Sequence, residues 1–372
     1  MWVLFIFFIV VFFLEIYIKI SYFLNKKKAC RVRTTYLKIS CTFIFFIHNR
    51  AVQLLVFLEK MQTLKPLSII YNQKSGFHAT HKEDWYEQIM TIFTAHGFEI
   101  QVFELSEKQP LAEVMKDVIV RHQQHQDIGI VVSAGGDGTL NGIAQHLLGT
   151  HIPLGVLPLG TFNYVARLLK IPLDLLQAAE AIATGKKRTL HVAKVNEFIY
   201  LNNASLGLYP LFIQKREQYN KQLGRFQLHA YTSALEVLLR HYQELKLEIE
   251  IDGHHHPVST PLLFFGNNQL QLREMKLRIS KAVKAGKIGG VMVAKTNQWS
   301  LIKLLVQLIK GKIEQAPEVY SFSADQVVVK TCKGQTIHLA IDGELVQTRS
   351  PLHFSVEKNA LTMMVPHAIT SV

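Results

Sequence analysis

The chain has 372 residues, of which 49% are hydrophobic and 19% are charged, so it is long enough for two domains with separate cores. Its net charge of +13 is uneven, because residues 1–60 hold nine Lys/Arg against two acidic residues and carry +7 of the total. The mildly basic remainder has no basic stripe with interleaved aromatic residues, which argues against a nucleic-acid-binding protein and leaves phosphates or anionic lipid surfaces as partners.

The first sixty residues differ from the rest of the chain. Residues 1–24 are almost wholly apolar, apart from Glu15 and Lys19, and a basic cluster at 26–33 follows. A single membrane anchor of this kind would leave the main body in the cytosol. Upstream DNA translated by mistake, with Met61 as the true start, explains the same bias. A signal peptide is disfavoured, because the segment has neither a basic n-region nor a small-residue cleavage site.

Strands and helices then alternate. Apolar or alternating runs at 67–71 and 99–105 indicate strands, whereas residues 82–96 and 111–122 have the periodicity of amphipathic helices. This alternation predicts a parallel, doubly wound α/β sheet with its ligand at the carboxyl ends of the strands. The first of these strands leads into a polar loop that begins at Asn72.

A glycine turn follows a buried strand at residues 128–132. Its glycines let the backbone pass close to a ligand, and the helix predicted over 139–148 would point its free N–H groups and positive dipole end at the same place. A nucleotide phosphate is the natural ligand of such a turn. The turn consists of Gly135, Gly136, Asp137, Gly138 and Thr139.

A second small-residue loop follows the strand predicted at 154–157. It reads Pro-Leu-Gly-Thr-Phe-Asn over residues 158–163, contains Thr161 and Asn163, and also opens a helix. Two adjacent strand-loop-helix units of this kind make one cleft.

The pattern changes after a helix at 173–184. Short strands with turn signals and without crossover helices predict an antiparallel β-sandwich, with a domain boundary near 188–190. Among them, Asp342-Gly343-Glu344 reads as a hairpin turn. The predicted strands are 188–195, 198–202, 245–251, 261–265, 288–294, 326–330, 336–341, 352–356 and 361–365.

The two loops together carry a family resemblance. Gly-Gly-Asp-Gly-Thr at 135–139, followed about twenty residues later by Pro-Leu-Gly-Thr-x-Asn at 158–163, resembles the catalytic domain of diacylglycerol kinases and sphingosine kinase-like lipid kinases. The resemblance extends over residues 67–365. It implies a nucleotide-binding α/β domain of the NAD kinase and phosphofructokinase type at 65–188 and a β-sandwich lipid-substrate domain at 189–368, after an extension at 1–60.

The resemblance also implies roles for single residues. Glu344 would be the general base on the lipid hydroxyl, with Asp342 and Asn163 in support, and Asp137 would lie beside the ATP phosphates and their Mg²⁺. A plain hairpin at 342–344 and an ordinary turn aspartate are the structural alternatives. The residues implied in nucleotide binding are Asn72, Ser75, Gly76, Ser106, Gly135, Gly136, Asp137, Gly138, Thr139 and Thr161.

Three positions depart from the family pattern. Tyr164 and Gly142 stand where many relatives carry carboxylates, and residues 284–289 lack the two Asp residues of an accessory magnesium site, so we do not predict that site.

Two further segments have alternative interpretations. The histidines at 254–256 suit a solvated hairpin better than a metal site, and the amphipathic helix at 299–312 would cover the core or lie on a membrane surface.

These observations predict an ATP-dependent lipid kinase with magnesium, most simply one that converts diacylglycerol to phosphatidic acid. The expected location is the cytoplasm, peripheral to the inner face of the membrane, and the presence of a single cysteine beyond residue 60 suits that reducing compartment. A small-molecule kinase of the NAD kinase or phosphofructokinase type and a non-catalytic lipid-binding relative are the alternatives. The oligomeric state is not predicted.

Overall fold

The computed structural model describes Arg50 and residues 64–72, 82–106, 109–223, 236–238, 244–331 and 336–367. The predicted anchor and the loop residues Ser75 and Gly76 therefore lie outside the described residues. Among the helices that are described, none has the length and apolar character needed to cross a bilayer.

The first part of the unit Lys65–Val372 alternates strands and helices as predicted. Its elements are β1 (Lys65–Tyr71), α1 (Lys82–Ala95), β2 (Phe98–Glu104), α2 (Leu111–Gln124), β3 (Ile130–Gly135), α3 (Asp137–Leu147), β4 (Leu154–Pro158), α4 (Tyr164–Leu168) and α5 (Leu175–Thr184).

A parallel sheet in the order β2-β1-β3-β4 organises these elements. All residues of β3 and β4 are buried, as expected for central strands covered on both faces. The covering helices pack in pairs, α1 against α5 and α2 against α3. The parallel α/β prediction is confirmed, and the carboxyl ends of β1, β3 and β4 meet at one edge.

The second part is mainly antiparallel. Its elements are β5 (Lys186–Val195), β6 (Phe198–Tyr200), β7 (Asn203–Gly207), α6 (Leu208–Leu223), β8 (Leu245–Ile251), β9 (His254–Thr260), β10 (Leu262–Gly266), α7 (Gln269–Glu274), α8 (Ser280–Lys284), β11 (Ile288–Val293), α9 (Gln298–Ile309), a 3₁₀ turn (Ile313–Gln315), β12 (Val319–Ala324), β13 (Val327–Thr331), β14 (Thr336–Ile341), β15 (Glu344–Arg349) and β16 (Leu352–Val365).

The sandwich prediction is also confirmed. A six-stranded sheet in the order β12-β11-β10-β7-β14-β15 packs its apolar face against β5, β8, β13 and β16. At the centre of this core the ring of Phe265 stacks on that of Phe354, with 3.9 Å between the ring centroids. The hairpin of β8 and β9 contains the three histidines, and His255 bonds to Glu248 across it at 2.9 Å, as expected for a surface hairpin.

The last strand joins both parts of the unit. The sequence predicts two strands, at 352–356 and 361–365, but β16 is one strand with a bulge between Glu357 and Leu361. Its beginning pairs with β13 in the sandwich, and Met363 pairs in parallel with Leu154 of the first sheet. β5 likewise continues through residues 188–190, so the boundary expected there stays a prediction.

Candidate active site

The two glycine-containing loops touch at the carboxyl edge of the parallel sheet. A Cβ atom on Gly160 would lie only 2.7 Å from the Cα atom of Gly136, and the Leu159 N–H donates to the Gly135 carbonyl at 3.1 Å. Larger residues would separate the loops. Because Gly136 precedes α3 and has no side chain to cap it, the first N–H groups of the helix can bind an anion.

The loop after β1 is attached to the glycine turn. Asn72 donates from Nδ2 to Thr139 Oγ1 at 2.8 Å, and its backbone N–H donates to the Ala134 carbonyl at 3.1 Å. The structure therefore brings Asn72 and Thr139 together, and their contact with a nucleotide stays a prediction.

Ser106 lies at the same edge, just after β2. Its side chain is exposed, and its hydroxyl accepts a hydrogen bond from the Gln109 N–H at 3.2 Å. This bond closes the turn before α2. A contact between Ser106 and the nucleotide stays a prediction.

The second loop is shaped by Asn163. Its backbone is left-handed, with φ of 48°, and its side chain holds both backbone groups of Gly160: Oδ1 accepts from the N–H at 3.0 Å and Nδ2 donates to the carbonyl at 2.7 Å. Asn163 thus supports the loop through its side chain. Thr161, in the same loop, is exposed to solvent.

Asp137 links the two loops. Its carboxylate accepts the N–H groups of Tyr164 and Val165 at 3.3 and 3.4 Å, and the side chain of Asn202 also hydrogen-bonds to it. Burial raises the pKa of Asp137, whereas these hydrogen bonds act in the opposite direction. This carboxylate is positioned for a cation that accompanies a bound phosphate.

Glu344 reaches the glycine turn from the sandwich sheet. It follows the turn Asp342-Gly343, whose φ angles of 48° and 88° suit the hairpin of β14 and β15. Its carboxyl group lies against Gly138, where an added Cβ would be 2.9 Å from Glu344 Cδ. Although much of the side chain is exposed, partial burial raises the pKa of Glu344, and the negative charge of Glu217 raises it further.

Asp342 is half-buried behind this hairpin, with its carboxyl group enclosed by backbone. Its carboxylate accepts the N–H groups of Leu201, Asn202 and Asn203, all at 2.8 Å. Burial raises the pKa of Asp342 to about 7 against the lowering effect of these donors, and the Asp137 carboxylate adds to the rise. Asp342 therefore supports the site by holding the turn between β6 and β7 to the hairpin of Glu344.

Asn202 is a site residue that the sequence analysis did not identify. It is buried, its backbone N–H donates to Asp342, and its side chain bonds to Asp137 and accepts from Asn268 Nδ2 at 2.8 Å. The Asn202-Asn203 pair after a strand was visible in the sequence. Because Asn202 lies 65 residues from Asp137 in the chain, no local pattern indicates their contact.

Replacing Asn202 by Ala should remove a donor to Asp137 and an acceptor for Asn268. A hydrogen bond to a charged group contributes about 2 kcal/mol, so we expect a rise of up to about thirtyfold in KM for the phosphate-bearing ligand and a loss of about 2 kcal/mol in the free energy of unfolding. Asn203→Ala is the matched control. Asn203 is equally buried, but its amide donates to Gln271 at 3.0 Å. The control should lower the melting temperature without changing KM, and equal changes in KM would contradict the role of Asn202.

A mainly apolar cavity of about 380 Å³ lies in the sandwich and is lined in part by Leu345. Leu206, Leu208 and Leu211 form one part of its wall, and Ile337 and Leu345 form another. Since Leu345 is the next residue after Glu344, the cavity and this carboxylate share the start of β15.

The described residues do not form a metal site by themselves, since no three His, Cys, Asp or Glu side chains among them lie close enough to hold an ion. Mg²⁺ that arrives with a nucleotide needs only one or two protein carboxylates, because the phosphates supply further oxygens. Asp137 fits that requirement. At residues 284–289, Lys287 instead forms an ion pair with Asp325 at 3.1 Å.

Two family models match this chain. Residues 66–195 match the diacylglycerol kinase catalytic domain, and residues 214–365 match the YegS C-terminal NAD kinase beta sandwich-like domain. Curated proteins called diacylglycerol kinase match across both parts. Residues 66–195 thus form a diacylglycerol kinase catalytic domain.

The relatives in this family match nearly their whole length. The diacylglycerol kinase of Bacillus subtilis (strain 168) is 27% identical over 293 residues, which covers 76% of this chain and 90% of that protein. The one of Staphylococcus aureus (strain bovine RF122 / ET3-1) is 26% identical over 287 residues, covering 75% and 86%. A crystal structure of a diacylglycerol kinase from Bacillus anthracis str. Sterne has a TM-score of 0.60 at 18% identity, covering 82% of this chain and 98% of that one.

The structure explains how the chain accommodates its departures from the family pattern. A Cβ atom on Gly142 would lie 2.6 Å from Leu111 Cδ2, which leaves little room for a longer side chain there. Tyr164 stacks on Phe162 with ring centroids 5.7 Å apart, and the Arg167 guanidinium lies over the Tyr164 ring at 5.5 Å. An aromatic and cationic cluster therefore stands where many relatives have an acidic residue.

Proposed function

We propose that this protein transfers the γ-phosphate of ATP to a lipid hydroxyl, with diacylglycerol as the acceptor and phosphatidic acid as the product. The carboxyl group of Glu344 against Gly138 is the observation that carries the proposal. It joins a base from the sandwich to a phosphate-binding turn of the parallel sheet. A hairpin with a purely structural role has no need of that contact.

Each residue of the site would have its own role in phosphoryl transfer. The phosphates would bind at the N-terminus of α3, beside Asn72 and Thr161, and Asp137 would hold Mg²⁺, which neutralises charge on the phosphates when bound. Glu344 would orient the lipid hydroxyl and take its proton as the oxygen bonds to the γ-phosphorus and the bond to the β-phosphate oxygen breaks. Positioning and charge neutralisation would supply most of the rate enhancement.

The acyl chains would occupy the cavity beside Leu345. Its volume of about 380 Å³ lies within the usual range of ligand pockets, and most of its lining is apolar. A lipid bound there would lie against the strand that begins with Glu344, since Leu345 is the second residue of β15.

A phosphorylation assay over several lipid alcohols tests this function. Protein starting at Met61 is mixed with labelled ATP, Mg²⁺ and detergent micelles of diacylglycerol, phosphatidylglycerol, a sphingoid base or a polyprenol, with NAD and sugar phosphates in parallel. Labelled phosphatidic acid supports the proposal, and a labelled soluble acceptor contradicts it. ATP binding without any labelled product would identify a non-catalytic relative.

The pH dependence of kcat/KM tests the role of Glu344 as a base. Only the ionised carboxylate can accept a proton, and its pKa is raised by partial burial and by the charge of Glu217. Activity should therefore fall with decreasing pH at a value above the ordinary glutamic acid pKa of about 4.3.

Glu217→Gln sharpens this test, because it removes the neighbouring negative charge. The fall of kcat/KM on the acidic side of the pH profile should then occur at lower pH. Glu357→Gln, which alters a surface ion pair with Lys194, is the control and should leave that fall in place. A fall at the same pH in all three proteins would mean that another group, such as the nucleotide itself, controls the profile.

A further inference from the structure

The outward face of α9 is unusually apolar for a surface. Leu301 and Leu304 are buried beneath the helix, as expected for a helix that covers the core. On the other side Trp299 is 78% exposed, Ile309 is 61% exposed and Val306 is 43% exposed. The inner face of the helix therefore covers the core, and its outer face remains uncovered in the described part of the chain.

Lysines alternate with these apolar residues. Lys303 lies one turn after Trp299, and Lys310 and Lys312 follow at the end of the helix, all exposed. None of the three pairs with a carboxylate among the described residues, and no Asp or Glu occurs in residues 298–313. The face thus combines an exposed tryptophan, branched aliphatic side chains and uncompensated positive charge.

The inner face of α9 connects this surface to the lipid cavity. Leu301 and Leu304 share a hydrophobic cluster with Leu208, and Leu208 also lines the cavity beside Leu345. Leu208 therefore belongs both to the core beneath the helix and to the cavity wall.

We propose that α9 is a membrane-docking helix that lies in the surface of an anionic phospholipid bilayer and brings the mouth of the cavity to its lipid. The mixture of Trp, aliphatic residues and Lys is typical of helices that lie in the interface. Each lysine gains from the negative surface potential. The purpose of docking rests on the proposed lipid kinase function, whereas the docking surface itself does not.

A second copy of the chain fits this face less well. A two-fold contact between helices would bring Lys303 of each copy close together, and charged residues are depleted from the centres of protein interfaces. The same charge favours an acidic bilayer, which can neutralise the lysines while their alkyl stems lie along the apolar layer.

Vesicle flotation with paired variants tests the docking surface. The protein would start at Met61, because the unit Lys65–Val372 contains both cores and matches a solved chain over 98% of that chain's length. The test variant is Trp299→Ala/Lys303→Glu. Val120→Ala/Lys116→Glu is the matched control, since these two residues are exposed and also lie four residues apart on a helix, α2.

Losing one aromatic anchor and reversing one charge should weaken binding to phosphatidylcholine vesicles that contain phosphatidylglycerol by at least about tenfold. The control should bind normally, and vesicles of phosphatidylcholine alone should bind less of every protein. Phosphorylation of a short-chain, water-dispersed diacylglycerol should be the same in both variants, since neither changes a cleft residue. Circular dichroism and thermal melting check that both are folded.

Equal vesicle binding by the test variant and the control would overturn the proposal. A lower molecular mass for the test variant than for the unmodified protein in sedimentation would also overturn it, by identifying the face as an interface between copies. If α9 controls vesicle binding but no lipid is phosphorylated, the docking surface stands and the kinase proposal fails. If micellar lipid is phosphorylated but vesicle binding does not depend on α9, the kinase proposal stands and the docking surface fails.

Discussion

Glu344→Gln is expected to lower kcat for lipid phosphorylation by about 10²- to 10⁴-fold, the usual contribution of a positioned general base. Glutamine has nearly the same shape but cannot accept the proton of the lipid hydroxyl. The side chain is substantially exposed, so the free energy of unfolding should change little. Steady-state kinetics with labelled ATP, together with thermal melting, measures both effects.

Gly138→Ala supplies an independent check of the same contact. Alanine is compatible with this helical position, but its Cβ would press on the Glu344 carboxyl group and displace it. If both changes act through Glu344, the double variant should lose little more activity than Glu344→Gln alone. Additive losses would assign Gly138 a separate role in phosphate binding, and near-normal activity of Glu344→Gln would exclude its role as base.

Asp342→Ala is expected to destabilise the protein by on the order of 3 kcal/mol or more, because three enclosed backbone N–H groups lose their acceptor. Asp342→Asn should cost less, since its one amide oxygen can still accept the N–H groups of Asn202 and Asn203. Its NH₂ group would face the Leu201 donor, so that hydrogen bond should be lost. Urea unfolding of the three proteins measures this order of stability.

Asp252 provides a matched control for Asp342. It also begins an Asp-Gly hairpin turn, with φ of 45°, and its Oδ1 accepts the backbone N–H groups of Asp325 and Gln326 at 3.0 and 2.9 Å. Asp252 is exposed and lies in the hairpin of β8 and β9. Asp252→Ala should cost about 1 kcal/mol and leave phosphorylation unchanged. Equal costs at the two positions would show that burial at Asp342 contributes nothing.

The pKa of Asp342 gives a further expectation for this pair. Since burial raises it to about 7 in the folded protein, the carboxyl group binds its proton more readily there than in the unfolded chain. Its contribution to stability is therefore complete below the ordinary aspartic acid pKa and is lost as the pH rises through about 7. Between the ordinary aspartic acid pKa and about 7, the unmodified protein should accordingly lose stability relative to Asp342→Asn as the pH rises.

The contacts of Asp342 and Asn202 explain how Glu344 from one sheet reaches a turn on another. Asp342 holds the backbone of residues 201–203, and Asn202 continues from that backbone to Asp137. Glu344 follows Asp342 by two residues and lies on Gly138, the neighbour of Asp137. The cleft is therefore assembled by buried polar groups that must all be satisfied, which makes its geometry sensitive to single substitutions.

Local patterns in the sequence predicted the parts of this protein that depend on local physics. The apolar run of β3, the glycine turn before α3 and the loop containing Asn163 all follow from residues adjacent in the chain, because strand burial, the absence of side chains at glycine and helix starts are short-range properties. The hairpin at Asp342-Gly343 belongs to the same class. The family resemblance rested on these local motifs.

The tertiary structure alone decided which distant residues meet. No periodicity indicates that β16 joins the parallel sheet and the sandwich, that Asn202 bonds to Asp137, or that α9 buries Leu301 while leaving Trp299 exposed. These outcomes depend on packing between segments far apart in sequence, where pairing is chosen by the fit of whole surfaces and by the need to satisfy buried polar groups. The sequence by itself determined the strands, turns and loops of the site, and long-range packing determined that Glu344 lies against the glycine turn.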